Sequence, residues 1–187
     1  EIADSPEMKR KQPRFVRDLH KFVMVPSNAR PRHPLMEERV QKLSSYFETF
    51  PLNEMILRDR NTGIISAGVA YQYAREVFRD ASFLKLVTTY PLPENLIRRF
   101  ASEVKRVVVV EELDPFIEDH LKAMGINVIG KQLVPIVGEL NPQMLEESAT
   151  NLHLLPQPDT PPSARTAEHE LPPRPPLLCP GCPHAAT

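Results

Sequence analysis

LCPGCPH, residues 178–184, holds both cysteines of the chain, with two residues between them, a proline after each and a histidine close behind. Thiolates at this spacing can share one metal ion, because the intervening pair reverses the backbone and aims both sulfurs to one side. Gly181 permits that turn and Pro180 stiffens it. The donor set is nevertheless incomplete. A zinc ribbon needs a second Cys or His pair, and an iron–sulfur cube needs four thiolates. A thioredoxin-like redox pair would follow a strand at a helix start, whereas this one follows a proline-rich stretch. Cys179 and Cys182 therefore read as half a site, completed by sequence outside this chain or by another subunit. Two cysteines so close together cannot staple a disulfide scaffold, which points to a reducing, cytoplasmic setting.

Two further places could do chemistry. The turn SAGVAYQ (66–72) would present backbone N–H groups at a helix start, a geometry that suits phosphate. It lacks the glycine and lysine spacing of a nucleotide loop, and Ser66, Ala67 and Gly68 read rather as small residues that let the helix pack on the sheet. In VVVVEELDPF, Glu111, Glu112 and Asp114 follow an apolar strand, where carboxylates can bind metal or act as acid and base. Asp114 is expected to cap the next helix, and acidic groups favour the positive end of that helix. No nucleophile–base set at a recognised spacing occurs in residues 1–150, so catalysis is not expected there. Arg30, Arg32 and His33 could hold an anion or simply line a solvated loop.

The elements that must position these groups follow from periodicity. Residues 1–21 form a charged lead-in. Phe22 to Val25 read as an edge strand or extended strap before a turn-rich segment. Met36, Val40, Leu43 and Phe47 make one stripe of a helix opening at Pro34. Then come a strand at 63–68, a helix with Ala70, Ala74 and Val77 on one face, a strand in SFLKLVTTY, and a helix with Leu96, Ile97 and Phe100 inward. KRVVVVEEL is apolar without alternation, as in a strand covered on both faces. A helix closed by Gly125, a short strand in INVIG and a last helix in NPQMLEESA complete the region. Pro34, Pro93, Pro115 and Pro142 each suit a first helical position, and Asp114 and Asn141 suit the caps before two of them. Such alternation predicts an α/β fold: three α/β/α layers around a mostly parallel sheet of roughly four or five strands.

With 21 prolines against 6 glycines in 187 residues, proline must concentrate outside the core. Residues 151–178 hold much of it and read as an extended linker of polyproline II character, although PPRPP could also serve as an SH3-type ligand. A net charge of −1 gives no field that calls for nucleic acid or an anionic membrane. No apolar run approaches the roughly 18 residues of a membrane span. The chain opens on Glu1 with no charged-then-apolar leader, and is expected to be a piece of a longer soluble protein.

RFVRDLHKFVMVPSNARPRHP, GIISAGVAYQYAREVF, SFLKLVTTYPLPENLIRRF, VKRVVVVEELDPFIEDHLKAMGINVIGK, the GEL of 138–140 and LCPGCPH, in that order, resemble the large (alpha) subunit of indolepyruvate ferredoxin oxidoreductases. The resemblance covers nearly the whole chain apart from about 151–171. It implies a thiamine-diphosphate-dependent enzyme that converts indolepyruvate and other arylpyruvates to aryl-acetyl-CoA and passes electrons through [4Fe–4S] clusters to ferredoxin. The implied partners are a smaller beta subunit, ferredoxin, CoA and the arylpyruvate, and the implied cofactors are thiamine diphosphate, Mg²⁺ and the clusters. Residues 22–150 would then be a domain like the C-terminal domain of transketolase, with a structural role. Residues 179–187 would open the thiamine-diphosphate-binding domain. Cys179 and Cys182 become candidate cluster ligands and His184 a candidate cofactor neighbour. Ser66, Gly68, Glu111 and Glu112 become possible anion or interface residues. Residues 1–187 alone would hold no cofactor. Without the resemblance, a free-standing nucleotide- or anion-binding module, or a metal-binding interaction protein, fits the same residues.

Overall fold

The computed structural model describes residues 15–157. Five strands form one sheet in the order β1-β3-β2-β4-β5: β1 Glu54–Ile56, β2 Asp59–Ala67, β3 Ala81–Leu86, β4 Arg106–Val110 and β5 Val128–Ile129. Strands β2 to β5 are parallel, and β1 pairs antiparallel at one edge. The helices are α1 Leu19–Phe22, α2 Pro26–Phe47, α3 Gly68–Val77, α4 Glu94–Ser102, α5 Phe116–Ala123 and α6 Pro142–Asn151.

Pleating sends adjacent side chains to opposite faces, so each apolar strand feeds two cores. Ile64, Phe83, Val108 and Val110 pack with Ala70, Tyr71 and Ala74 of α3 and Leu145 and Ala149 of α6. Ile65, Leu84, Val107 and Val109 pack with Leu96, Ile97 and Phe100 of α4 and Ile117 and Leu121 of α5. These are the three α/β/α layers and the mostly parallel sheet that the sequence predicts. Val77 is only partly buried, whereas Tyr71 is buried with Ala70 and Ala74.

Several expectations change. β1 has no counterpart in the periodicity, and it is held by pairing Glu54, Met55 and Ile56 with Lys85, Leu84 and Phe83. Phe22 to Val25 form no strand: Phe22 closes α1 and the next three residues link it to α2. The turn-rich segment expected after Val25 is also absent, because α2 begins at Pro26 and carries Pro31 and Pro34 inside it. Helical spacing is what places Asn28 and Arg32 on one face. There Asn28 Nδ2 donates to Val23 O at 2.9 Å, and Arg32 donates to His20 O at 3.1 Å and Lys21 O at 2.9 Å, so α1 and α2 hold each other.

Of the four helix-opening prolines, Pro142 sits at the first turn as expected, with Asn141 accepting from Met144 N at 2.9 Å. Pro93 and Pro115 fall one position earlier, at the caps. Gly125 has φ 78° and closes α5 as expected. Asn53 is buried between α2 and β3: its Oδ1 accepts from Val87 N at 2.8 Å, and its Nδ2 donates to Phe47 O at 3.2 Å.

Candidate functional site

In a parallel sheet the loops after the strands gather at the carboxyl edge, where open α/β folds bind ligands. The register pairs Ser66 with Val110, so the 66–68 turn and the Glu111–Glu112 pair lie side by side there. The structure thus unites four of the candidate residues, and it also shows what each is doing.

Ser66 is fully buried, and its Oγ donates to Val110 O at 2.6 Å across the β2–β4 pair. That hydroxyl is not offered to a ligand. Gly68, at φ 57°, makes the turn from strand into α3, a conformation that costs an L side chain. Removing the hydroxyl in Ser66→Ala leaves a buried carbonyl short of a donor. We expect a loss of about 1–2 kcal/mol in urea unfolding, with no effect on affinity for nucleotide or phosphate by titration calorimetry.

Glu111 takes the capping role expected of Asp114. Its Oε2 accepts from Ile117 N at 2.8 Å and its Oε1 from Glu118 N at 2.9 Å, satisfying two free N–H groups in the first turn of α5. No side chain at Pro115 or Asp114 caps that helix. Glu112 Oε1 accepts from Leu140 N at 3.1 Å, pinning the chain that leads into α6. Glu118 is buried, and accepts from Lys131 N at 2.8 Å and from Lys122 Nζ at 2.7 Å. Lys131 Nζ in turn donates to Glu111 O at 2.7 Å. In sequence, Glu118 and Lys122 look like a surface pair one turn apart. The buried acceptor becomes visible only when residue 131 is brought over it.

Desolvation pushes the Glu111 carboxyl above its ordinary pKa, and outweighs the two backbone N–H groups and Lys131, which act the other way. The folded state therefore binds this proton more tightly than the unfolded chain. The contribution of Glu111 to stability is fullest at pH values below the ordinary carboxylate pKa and is lost as pH rises through the raised value. Compared with Glu111→Gln, which cannot titrate, the parent should lose stability over that rise, and the Glu111 carboxyl resonance should titrate above the ordinary glutamate value. A carboxyl titrating below its ordinary value would contradict this.

Among the described residues, no group of three or more His, Cys, Asp or Glu could hold a metal ion. Arg32 and His33 are also engaged: Arg32 with the α1 carbonyls, His33 with Glu37 at 3.0 Å. Beside the loop that follows β3, a groove of about 380 Å³ is lined by Ser44, Tyr90, Leu92, Arg98, His120 and Met124, among others. Arg98 is steadied by Met124 O at 3.0 Å and His120 Nδ1 by Phe116 O at 2.7 Å. Cys179, Cys182 and His184 lie outside the described residues, as does most of the expected linker. No helix among the described residues is long and apolar enough to cross a membrane.

No family model matches the chain. Among solved structures, the fold is similar to a 2-oxoglutarate:ferredoxin oxidoreductase from Magnetococcus marinus, with a TM-score of 0.51 at 20% identity, over 68% of this chain and 24% of that one. The layered sheet is therefore a fold also found within that oxidoreductase. Sequence narrows this further. The chain is 36% identical to the indolepyruvate oxidoreductase subunit IorA of Archaeoglobus fulgidus over 100% of its own length and 32% of that protein. It is 33% identical to the corresponding subunit of Pyrococcus horikoshii over 97% of this chain and 30% of the relative. It belongs to the IorA family, and spans about a third of the length of these relatives.

Proposed function

We propose that the chain is part of the alpha subunit of an indolepyruvate:ferredoxin oxidoreductase, and that residues 22–150 are its structural, transketolase C-terminal-like domain. The observation that carries this reading is 36% identity to an indolepyruvate oxidoreductase subunit over the whole chain. The intact enzyme would oxidatively decarboxylate indolepyruvate and other arylpyruvates to aryl-acetyl-CoA, together with a smaller beta subunit and ferredoxin, in the cytoplasm. Thiamine diphosphate, bound with Mg²⁺, would supply the carbanion chemistry of decarboxylation, and [4Fe–4S] clusters the electron path. Within 179–187, which would begin the thiamine-diphosphate-binding domain after the 151–178 linker, Cys179 and Cys182 are the proposed cluster ligands and His184 a cofactor neighbour.

The structural role of 22–150 is supported by how its carboxyl edge is used. Glu111, Glu112 and Glu118 spend their oxygens on backbone N–H groups and a lysine, and Ser66 on a backbone carbonyl. These acidic groups do not fit a Mg²⁺ site or an acid–base pair without dismantling the edge they hold together. The same bond takes the Ser66 hydroxyl out of any nucleotide- or anion-binding site at the 66–68 turn. The expected result is that thiamine diphosphate, Mg²⁺ and indolepyruvate leave the melting temperature of residues 1–187 unchanged. A saturable upward shift with any of them would overturn the structural assignment. In the full-length subunit, Cys179→Ser should lower the iron content, and equal iron in both proteins would remove it from the ligand set.

A further inference from the structure

Residues 15–47 form an arm with no core of its own. α2 runs 22 residues with none buried, and α1 buries none either. Helices in proteins are held mainly by burying an apolar face, and α2 bears the added burden of Pro31 and Pro34 in its interior. Yet the arm is ordered by its own hydrogen bonds, and presents Phe15, Phe22, Met24, Leu35 and Met36 to solvent, each at least 49% exposed.

Its charges are uneven in a specific way. Every carboxylate on the arm has a partner: Asp18 accepts from Lys21 N, Glu37 pairs with His33 and Glu38 with Lys42. Arg17, Arg30 and Arg39 have no side-chain partner among the described residues. The surface that complements such an arm is apolar with carboxylates at its rim. Relatives carry about two thirds of their length beyond the matched span. A surface on the same polypeptide meets the arm at a tethered effective concentration of roughly millimolar order, which no free partner reaches in dilute solution.

We infer that residues 15–47 are a clamp that docks, within one polypeptide, on an apolar, acid-rimmed face of the part of the alpha subunit outside this span. This rests on the family reading. Hydrogen exchange on the full-length subunit, purified without its partner, tests it. Amides of α2 should exchange roughly a hundredfold or more slower than those of a fraying helix, equally at low and high protein concentration. Phe22→Asp and Arg39→Glu should each speed exchange across 15–47 while leaving β2, β3 and β4 protected. Three results would overturn the clamp: fast exchange in the isolated subunit that slows only when the second subunit is added, protection that grows with concentration and so reports a second copy, or variants that change nothing. A native polypeptide no longer than this chain would overturn the family reading as well; a longer one with an unprotected arm overturns the clamp alone.

Discussion

Gly130→Ala should destabilise the domain by about 2–4 kcal/mol, the combined scale of overpacking and of freeing a buried acceptor from its donors. A Cβ at residue 130 would overlap the carboxylate of Glu118, whose Oε2 and Cδ lie against that glycine. Glu118 cannot simply swing aside, because it is buried and bonded to Lys131 N at 2.8 Å and Lys122 Nζ at 2.7 Å. Forced away, it loses the amide that anchors the chain after β5, and Lys131 loses its place over Glu111 O. Because Gly130 has no positive φ, the cost lies in the collision and not in the backbone conformation. The check is a double-mutant cycle by urea unfolding: in a Glu118→Ala background the same alanine should cost much less. Equal costs in the two backgrounds would show that the collision is not what matters.

Phe100→Ala should cost about 3–5 kcal/mol, the range for emptying a buried aromatic site. The ring is fully buried on the face of the sheet covered by α4 and α5. It lies so close over Gly63 that a Cβ there would sit 3.0 Å from its Cε1, with Val104 Cγ2 nearer still at 2.7 Å. Strand and helix meet through that glycine, and alanine at 100 leaves a void that neither can close. For a domain whose whole stability is of order 5–15 kcal/mol, the denaturation midpoint should fall sharply. Phe100→Leu should recover much of the loss, since it refills most of the volume.

Both effects turn on glycines that meet side chains far along the chain, and this marks the limit of what could be read in advance. Ile64–Ile65, Phe83–Leu84 and Val107–Val110 are unbroken apolar runs, so two covered faces and a parallel sheet were legible from pattern alone. β1 was not, because three residues hydrogen-bonded to one neighbour leave no periodic trace. The start of α2 was misplaced for a different reason. Proline usually ends or opens a helix, and only contacts from Asn28 and Arg32 back to α1 make a helix through Pro31 and Pro34 intelligible. At the carboxyl edge, residue types announced carboxylates but not their use. Asp114 stood nearest the helix, yet Glu111 has the length to reach the N–H groups of residues 117 and 118. Partners at residues 131 and 140 are set by tertiary structure, which spacing along the chain does not encode.

The proposed role of this domain is to serve an arylpyruvate-oxidising, ferredoxin-reducing enzyme. Its most direct test is steady-state reduction of ferredoxin by the complete two-subunit protein with intact clusters, given CoA and thiamine diphosphate. Indolepyruvate should drive reduction, with indole-acetyl-CoA formed at one per two electrons transferred. Turnover with pyruvate or 2-oxoglutarate but none with indolepyruvate or another arylpyruvate would contradict it.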